Sequence, residues 1–567
     1  MEDGDPPPGT EEGHKAEVAK AAPPPPSGPN RLRRAAVLLG LVAFALRAWA
    51  PGPTSQTVDE FSWTARSEAF RAAVLHGDLD RASTSATSGP GATQPGVTTM
   101  WAGSAGYGVV AGAEALGLLE RQPGRTSTDN ARILRASRAV VGLACSVALV
   151  LLVLVAARLV GRRAALIAGV LLAAEPFLVG HSNVLHTDAL VTMFGALAVI
   201  AFAAAHRDGR PPDRRLLVLA GIAGGVAALT KLNAVPLVVG GAAVVVVFRT
   251  GWRAGWRSGL RRAARAAGTL LGVASVVFFV AWPALWVDLW SELQRLPNSL
   301  DQLTREHSTF FRYEQTADAG PRYYPYALAF RLSPWLFLGT LASAVAIAVH
   351  LWSRHRRRDG PGWPAPSVLA VLLLAPVPYA LVITLTSQKY DRYVLPVVPF
   401  LALTTGVVAA VAVRWWTARF GGRPLAPVAA AVTAALVAVT LSAQPYTISY
   451  VNPLAGGQQR ARDNILLGWG EGLEVLGAEI REREGNHCPD VDIWAPTWFA
   501  GFVALPCGSV KGGLRFAEYD YVVVYIANLQ RSDSMHVVQK ARVEGELVKE
   551  VKIGGLTYAE LWRMDGS

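Results

Sequence analysis

Long apolar runs recur along this chain, and the physics of hiding them limits the fold more than any other feature. They start near Ala35, Ser137, Ala164, Ala189, Leu216, Ala234, Ala266, Ala327, Val368, Val394 and Pro424. Each approaches the ~20 residues a helix needs to cross ~30 Å of hydrocarbon. In lipid a backbone can satisfy its own N–H and C=O groups only as a helix or a closed barrel, so about eleven spanning helices are expected. A charged fraction of 17% and a mean hydropathy of +0.29 agree with this and not with a soluble globule. The net charge of +12 does not point to nucleic acid, because the basic residues sit in short clusters between apolar runs and not on one polar face. Cys145, Cys488 and Cys507 are too few and too scattered for a zinc cluster.

The basic clusters also orient the helices. Numbered alternately, the links holding Arg158, Arg162 and Arg163, then Arg207 to Arg215, Arg249 to Arg265, Arg354 to Arg358 and Arg414 to Arg423 fall on one side. By the positive-inside rule that side is cytoplasmic, and with it residues 1–30, a proline-rich stretch expected to be a disordered tail. With no cleavable signal ahead of it, the run from Ala35 should remain as an anchor. Residues 51–136 then form a first loop outside the cell membrane, and residues 444–567 an exported C-terminal part.

Between Ala35 and Ala443 there are only two lysines, Lys231 and Lys389, and both map to the outer surface. Lysines at span ends often do no more than reach for the interface. Here acids share their side. Asp59 and Glu60 follow the first span within Ser55 to Trp63, and Asp188 opens the fourth after Gly180 to Thr187, with His186 two residues before it. Asp188 after Thr187 also reads as a helix cap, and Asp59 with Glu60 as a solvated first turn. A carboxylate near hydrocarbon is costly unless paired, however, which marks such positions as functional. Arg392 joins them from Lys389 to Tyr393. Cations that grip a phosphate beside a carboxylate able to take a proton from a hydroxyl suit transfer from a lipid phosphate.

These residues resemble the GT-C superfamily of membrane glycosyltransferases, among them the dolichyl-phosphate-mannose protein mannosyltransferases and the aminoarabinose transferases. The likeness runs from Arg31 to about Arg531. It rests on Val58-Asp59-Glu60, Gln94 to Trp101 with its Pro-Gly step, Leu185 to Leu190, Leu229 to Asn233, Pro321 to Tyr326 and Lys389 to Pro396. Tyr450 to Gly457 and Gly468 to Leu473 resemble a bacterial subgroup. The resemblance implies a GT-C fold over residues 31–443 and inverting transfer of a sugar from a polyprenyl phosphate to an acceptor hydroxyl outside the membrane. Asp59, with Glu60, would be catalytic; Asp188, His186, Lys231, Lys389 and Arg392 would bind substrate. The acceptor, whether protein, lipid or cell-wall glycan, stays open. So does a divalent metal, for which Glu306 and His307 are the nearest candidates and an incomplete ligand set.

From Gln444 onward a small α/β domain is expected, with a helix at Gly472 to Arg483 and strands at Val491 to Ala495, Tyr521 to Ile526 and Leu547 to Ile553. Outside the cell Cys488 and Cys507 can form a bridge, or remain two buried thiols. A transporter or flippase of lipid-linked sugars is the competing function, since it shares the interfacial charges without needing a base. It would want polar residues in mid-span and an internal repeat, neither of which is evident. A membrane-anchored binding or sensor protein would need far fewer spans.

Overall fold

Each of the predicted apolar runs folds as a helix or a broken helix. The fold comes from a computed structural model, in which residues 29–49, 55–83, 95–120, 127–206, 211–250, 255–304, 309–354, 363–421, 425–496, 509–511, 519–532 and 534–564 are described. Most of the N-terminal tail, Glu306, His307 and Cys507 lie outside them. Among the described residues, seven helices are long and apolar enough to cross a membrane, from Asn130–Val160 to Leu425–Ser442. The pair Arg162–Ala173 and Pro176–Ser182, bent by 61°, makes an eighth if it is one span. Pro176 explains the break, because its ring cannot continue the preceding helix and has no N–H to donate. The runs from Ala35, Leu216 and Ala234 form the shorter or more polar helices Pro29–Ala48, Arg214–Thr230 and Ala234–Arg249.

The helix Asp188–Ala205 is buried along almost its whole length and packs against Arg214–Thr230 and Ser127–Val160. Without a hydrophobic force between helices in lipid, close approach depends on small residues. A Cβ at Gly221 would sit 2.5 Å from Val273, and one at Gly406 only 2.4 Å from the Ala164 carbonyl. At one end of the bundle the basic links meet, Arg249 donating to the His206 carbonyl at 2.6 Å and Arg158 facing Asp213 at 3.5 Å. The acids and lysines gather at the other end.

There the first loop folds back as two helices, Val58–His76 and Val97–Ala115. Thr57 caps the first in a reciprocal capping box with Glu60. The Pro-Gly step before the second has a steric cause: Gly96 has φ +58, and a Cβ there would lie 2.2 Å from the Trp63 ring.

The C-terminal region holds a five-stranded sheet in the order β4-β3-β5-β7-β6. Its members are β3 (Asp492–Trp494), β4 (Ser509–Lys511), β5 (Tyr521–Tyr525), β6 (Gly545–Ile553) and β7 (Leu556–Met564). β3 pairs in parallel with β4 and β5, and β7 runs antiparallel between β5 and β6. The expected helix appears as Leu473–Glu484. The sequence reading missed β7, although Gly554-Gly555, both at positive φ, is the usual two-residue hairpin signal. It also missed a hairpin between the spans, β1 (Thr309–Phe311) with β2 (Glu314–Thr316). Cys488 is disulfide-bonded, whereas Cys145 is a buried free thiol within the bundle.

The sheet is fastened to the bundle through Gly468 to Gly472. Gly468, Gly470 and Gly472 all have positive φ, at 84°, 114° and 88°. The turn they make offers its carbonyls to the first loop: Val58 N–H donates to Trp469 at 3.1 Å and Ser55 Oγ to Gly470 at 3.0 Å. Behind it, Gly470 N–H donates to the Tyr525 hydroxyl at 2.9 Å, and that hydroxyl to Glu471. A Cβ on Gly470 would lie 2.4 Å from the Gln56 carbonyl in a backbone region side chains avoid. Gly470→Ala is therefore expected to cost about 2 kcal/mol or more, read as a lowered midpoint of thermal unfolding in detergent. An unchanged midpoint would mean that the turn does not clamp the two parts.

Candidate active site

Five side chains from four separate elements meet at this end of the bundle. Asp59 comes from the first turn of Val58–His76, His186 and Asp188 from the tight link before Asp188–Ala205, Lys231 from the extended break after Arg214–Thr230, and Arg392 from the 3-10 turn Asp391–Val397. Lys231 Nζ donates to Asp188 Oδ1 at 3.0 Å. Asp188 Oδ2 lies 3.2 Å from His186 Nδ1 and 3.3 Å from Arg392 Nε. Asp59 Oδ2 lies 3.3 Å from both His186 Nε2 and an Arg392 terminal nitrogen. The imidazole and the guanidinium thus each bridge the two carboxylates. Asp188 and Lys231 are almost sealed, at 4% exposure of each side chain, whereas the Asp59 side chain keeps 35%. Of the two acids only Asp59 has room for a visitor.

Aromatic rings hold the cations in place. The Arg392 guanidinium lies 4.3 Å from the Tyr390 ring centre and 4.5 Å from that of Trp469, and Lys231 Nζ 4.5 Å from that of Tyr393. Trp469 also meets the His186 ring edge-on at 5.2 Å. The Gly-Trp-Gly turn therefore supplies a wall of the site as well as a clamp.

Glu60 stands beside Asp59 in sequence and apart from it in surroundings. Fully buried, it accepts from Arg138 at 2.7 and 2.6 Å, from the Thr57 N–H at 2.9 Å and from the Leu185 N–H at 2.7 Å. Those bonds fill its lone pairs and tie the first-loop helix to the link that carries His186. Lys389 also lies apart from the cluster. Its ammonium pairs with Asp318 at 2.9 Å and donates to the Thr384 and Thr386 carbonyls, closing the C-terminal end of the helix Val377–Leu385.

A cavity of about 210 Å³ lies against Asp59 and Arg392. Its other walls include Arg331, Asp391, Glu471, Arg531 and Tyr558, which the sequence reading did not single out as site residues. Arg331 pairs with Asp391 at 2.6 Å and donates to the Tyr450 carbonyl at 2.9 Å, while Asn452 donates to the Ala329 carbonyl. The Tyr450 to Gly457 segment is thus hooked onto the helix Tyr323–Arg331. One signal was available: Asp391 and Arg392 are adjacent opposite charges at a span end. Among the described residues no group of three or more His, Cys, Asp or Glu is arranged to hold a metal ion.

Residues 132–282 match the family model described as dolichyl-phosphate-mannose-protein mannosyltransferase, a stretch that contains Arg138, His186, Asp188 and Lys231. Solved structures similar to this chain include ArnT from Cupriavidus metallidurans in the apo state, at 17% identity and TM-score 0.49, covering 93% of this chain and 96% of that one. The same protein bound to undecaprenyl phosphate gives 16% and 0.46, covering 94% and 97%. The S. cerevisiae protein O-mannosyltransferase Pmt1-Pmt2 complex bound to the sugar donor gives 16% and 0.33, covering 47% and 34%. No curated protein matches the chain.

Charge balance in the cluster gives it a pH signature. Burial alone would raise the Asp59 pKa, but the hydrogen bond from His186 and the charges of Arg392 and His186 hold it down at about 2. Burial alone would lower the His186 pKa, but the Asp188 charge and hydrogen bonds to Asp188 and Asp59 raise it above 6.5. A folded-state pKa raised above its unfolded value contributes stability that is full below the unfolded pKa and lost as pH rises through the folded one. Stability of the intact chain should therefore fall as pH climbs past 6.5, and His186→Gln should flatten that slope. The check is thermal unfolding across pH 5 to 9, on the order of the range where histidine titrates. Equal slopes in the two proteins would show that His186 is not held charged between the acids.

Proposed function

We propose that this chain is an inverting glycosyltransferase that moves one sugar from a polyprenyl-phosphate donor to an acceptor hydroxyl on the extracytoplasmic face of the cell membrane. The observation that carries the reading is the partly exposed Asp59 carboxylate sharing Arg392 with the sealed Asp188 beside a cavity. With His186 protonated, two carboxylates face three cationic groups, which leaves positive charge for an incoming anion. The bilayer holds the polyprenyl chain, and Arg392, forked and stacked on aromatic rings, takes the phosphate.

In this reading Asp59 is the base. Its carboxylate accepts the proton of the acceptor hydroxyl as the acceptor oxygen bonds to the anomeric carbon. The bond from that carbon to the phosphate oxygen breaks on the opposite face, and its electron pair leaves with the polyprenyl phosphate. A carboxylate held near a pKa of about 2 is a poor base. A phosphate that engages Arg392 competes with Asp59 for the same guanidinium and removes one of the charges that hold the Asp59 pKa down, while the bond from His186 remains. The base is thereby stronger when the donor is present. Asp188, His186 and Lys231 hold the guanidinium and the base at fixed separation, and Glu60 fixes the helix that carries Asp59. Lys389 stays with Asp318.

The transporter reading shares the charges but gives Asp59 no proton to take. Asp59→Asn is expected to lower transfer at least ~10³-fold, the scale of a lost general base, with thermal unfolding little changed because the side chain is partly exposed. The assay incubates membranes containing the protein with a panel of labelled polyprenyl phosphosugars and follows label into acceptor. Transfer by Asp59→Asn at the wild-type rate would remove Asp59 from the mechanism, and movement of intact donor across the bilayer without transfer would favour transport.

A further inference from the structure

A second cavity, of about 520 Å³, lies between the β1–β2 hairpin and the sheet, and Tyr558 lines both it and the cavity beside Asp59. We propose that this groove binds the acceptor as a neutral oligosaccharide chain and leads its hydroxyl toward Asp59, a proposal that rests on the transferase reading above.

Three observations carry it. Tyr313, on the groove wall, is 72% exposed, high for an aromatic ring. It is held there at a conformational cost. Arg312 and Tyr313 are the two central residues of the β1–β2 turn, with φ of 52° and 69°. A two-residue turn with both centres at positive φ is normally built from Asn and Gly, and bulky residues there are strained. Backbone bonds pin the pair, Tyr313 N–H donating to the Asp463 carbonyl at 2.8 Å and Arg312 N–H to Asn464 at 3.3 Å. Strain retained beside a cavity points to use of the side chain, and an exposed ring offers the flat apolar surface on which the C–H face of a sugar packs.

The groove's charges point to a neutral ligand. Arg542 grips Glu560 through three bonds of 2.9, 3.1 and 3.4 Å, and Arg462 lies 3.8 Å from its neighbour Asp463. The charges cancel in pairs, so the walls present polar atoms without a net field, with the Gln459 amide and the Thr557 hydroxyl among them. Such walls suit hydroxyl groups better than a phosphate or a basic peptide. The backbone argues against a peptide as well. Val524 and Glu560, which line the groove, are paired with each other across the interior strands β5 and β7. Among the described residues, neither of these two sheet strands has a free edge there for an extended chain to join.

The test titrates the full chain in lipid nanodiscs, with no donor present, by calorimetry. The probes are linear glucose, mannose and N-acetylglucosamine oligomers and, separately, unstructured peptides rich in serine and threonine. One oligosaccharide class is expected to bind, at least tenfold more weakly to Tyr313→Ala and Tyr313→Gly and with near wild-type affinity to Tyr313→Phe. Glycine relaxes a positive φ, so Tyr313→Gly should unfold no earlier than the wild type, and its loss of binding cannot be a loss of fold. Binding of peptides but not sugars, binding of neither, or wild-type sugar affinity in Tyr313→Gly would overturn the proposal. If sugar binds the groove through Tyr313 yet no donor yields transfer, the groove stands as a carbohydrate site and the transferase reading is what fails.

Discussion

The guanidinium of Arg392 lies 3.3 Å from Asp59 and 3.3 Å from Asp188, and the rest of the site is arranged around that sharing. A buried carboxylate is tolerable only when its charge is met, and Asp188 meets three cations at once. Asp59 is less enclosed and less firmly held. One acid is therefore sealed and the other partly open, a division set by burial and not by residue type.

Helix ends make this geometry. His186, Asp188, Lys231 and Arg392 sit where spans stop or begin, and the stops are written in short irregular segments: the link after Ser182, the extended Lys231, the 3-10 turn from Asp391. Regular helix could not bring their side chains together. The lid comes from the opposite end of the chain, because three glycines in conformations closed to other residues let Trp469 turn down between Arg392 and His186 while its carbonyl caps the first-loop helix. The C-terminal sheet is thus part of the site's wall, and β5 supports the turn through Tyr525.

Much of this was legible in the residues. Apolar length gave the helices, the scarcity of lysine drew attention to Lys231, and the acid motifs marked Asp59 and Asp188 with His186 between them in space. What was not legible follows from two features of polar groups in a sparse membrane environment. A motif cannot say which of two adjacent acids will be consumed by packing, and Glu60 was consumed by Arg138, a residue that reads as one more interfacial arginine. Nor can it say which way a long side chain turns: Lys389, three residues from Arg392, folds back onto carbonyls of its own preceding helix and onto Asp318. Arg331 was missed because a buried arginine at the end of an amphipathic segment looks like any other until Tyr450 returns to it.

The most direct measurement is a structure of the chain in lipid nanodiscs with a polyprenyl phosphate bound. The account predicts phosphate oxygens within hydrogen-bond reach of the Arg392 guanidinium, an Asp59 carboxylate drawn away from it, and Asp188 still joined to Lys231. A phosphate seated away from Arg392, with the contact between Asp59 and Arg392 intact, would contradict it.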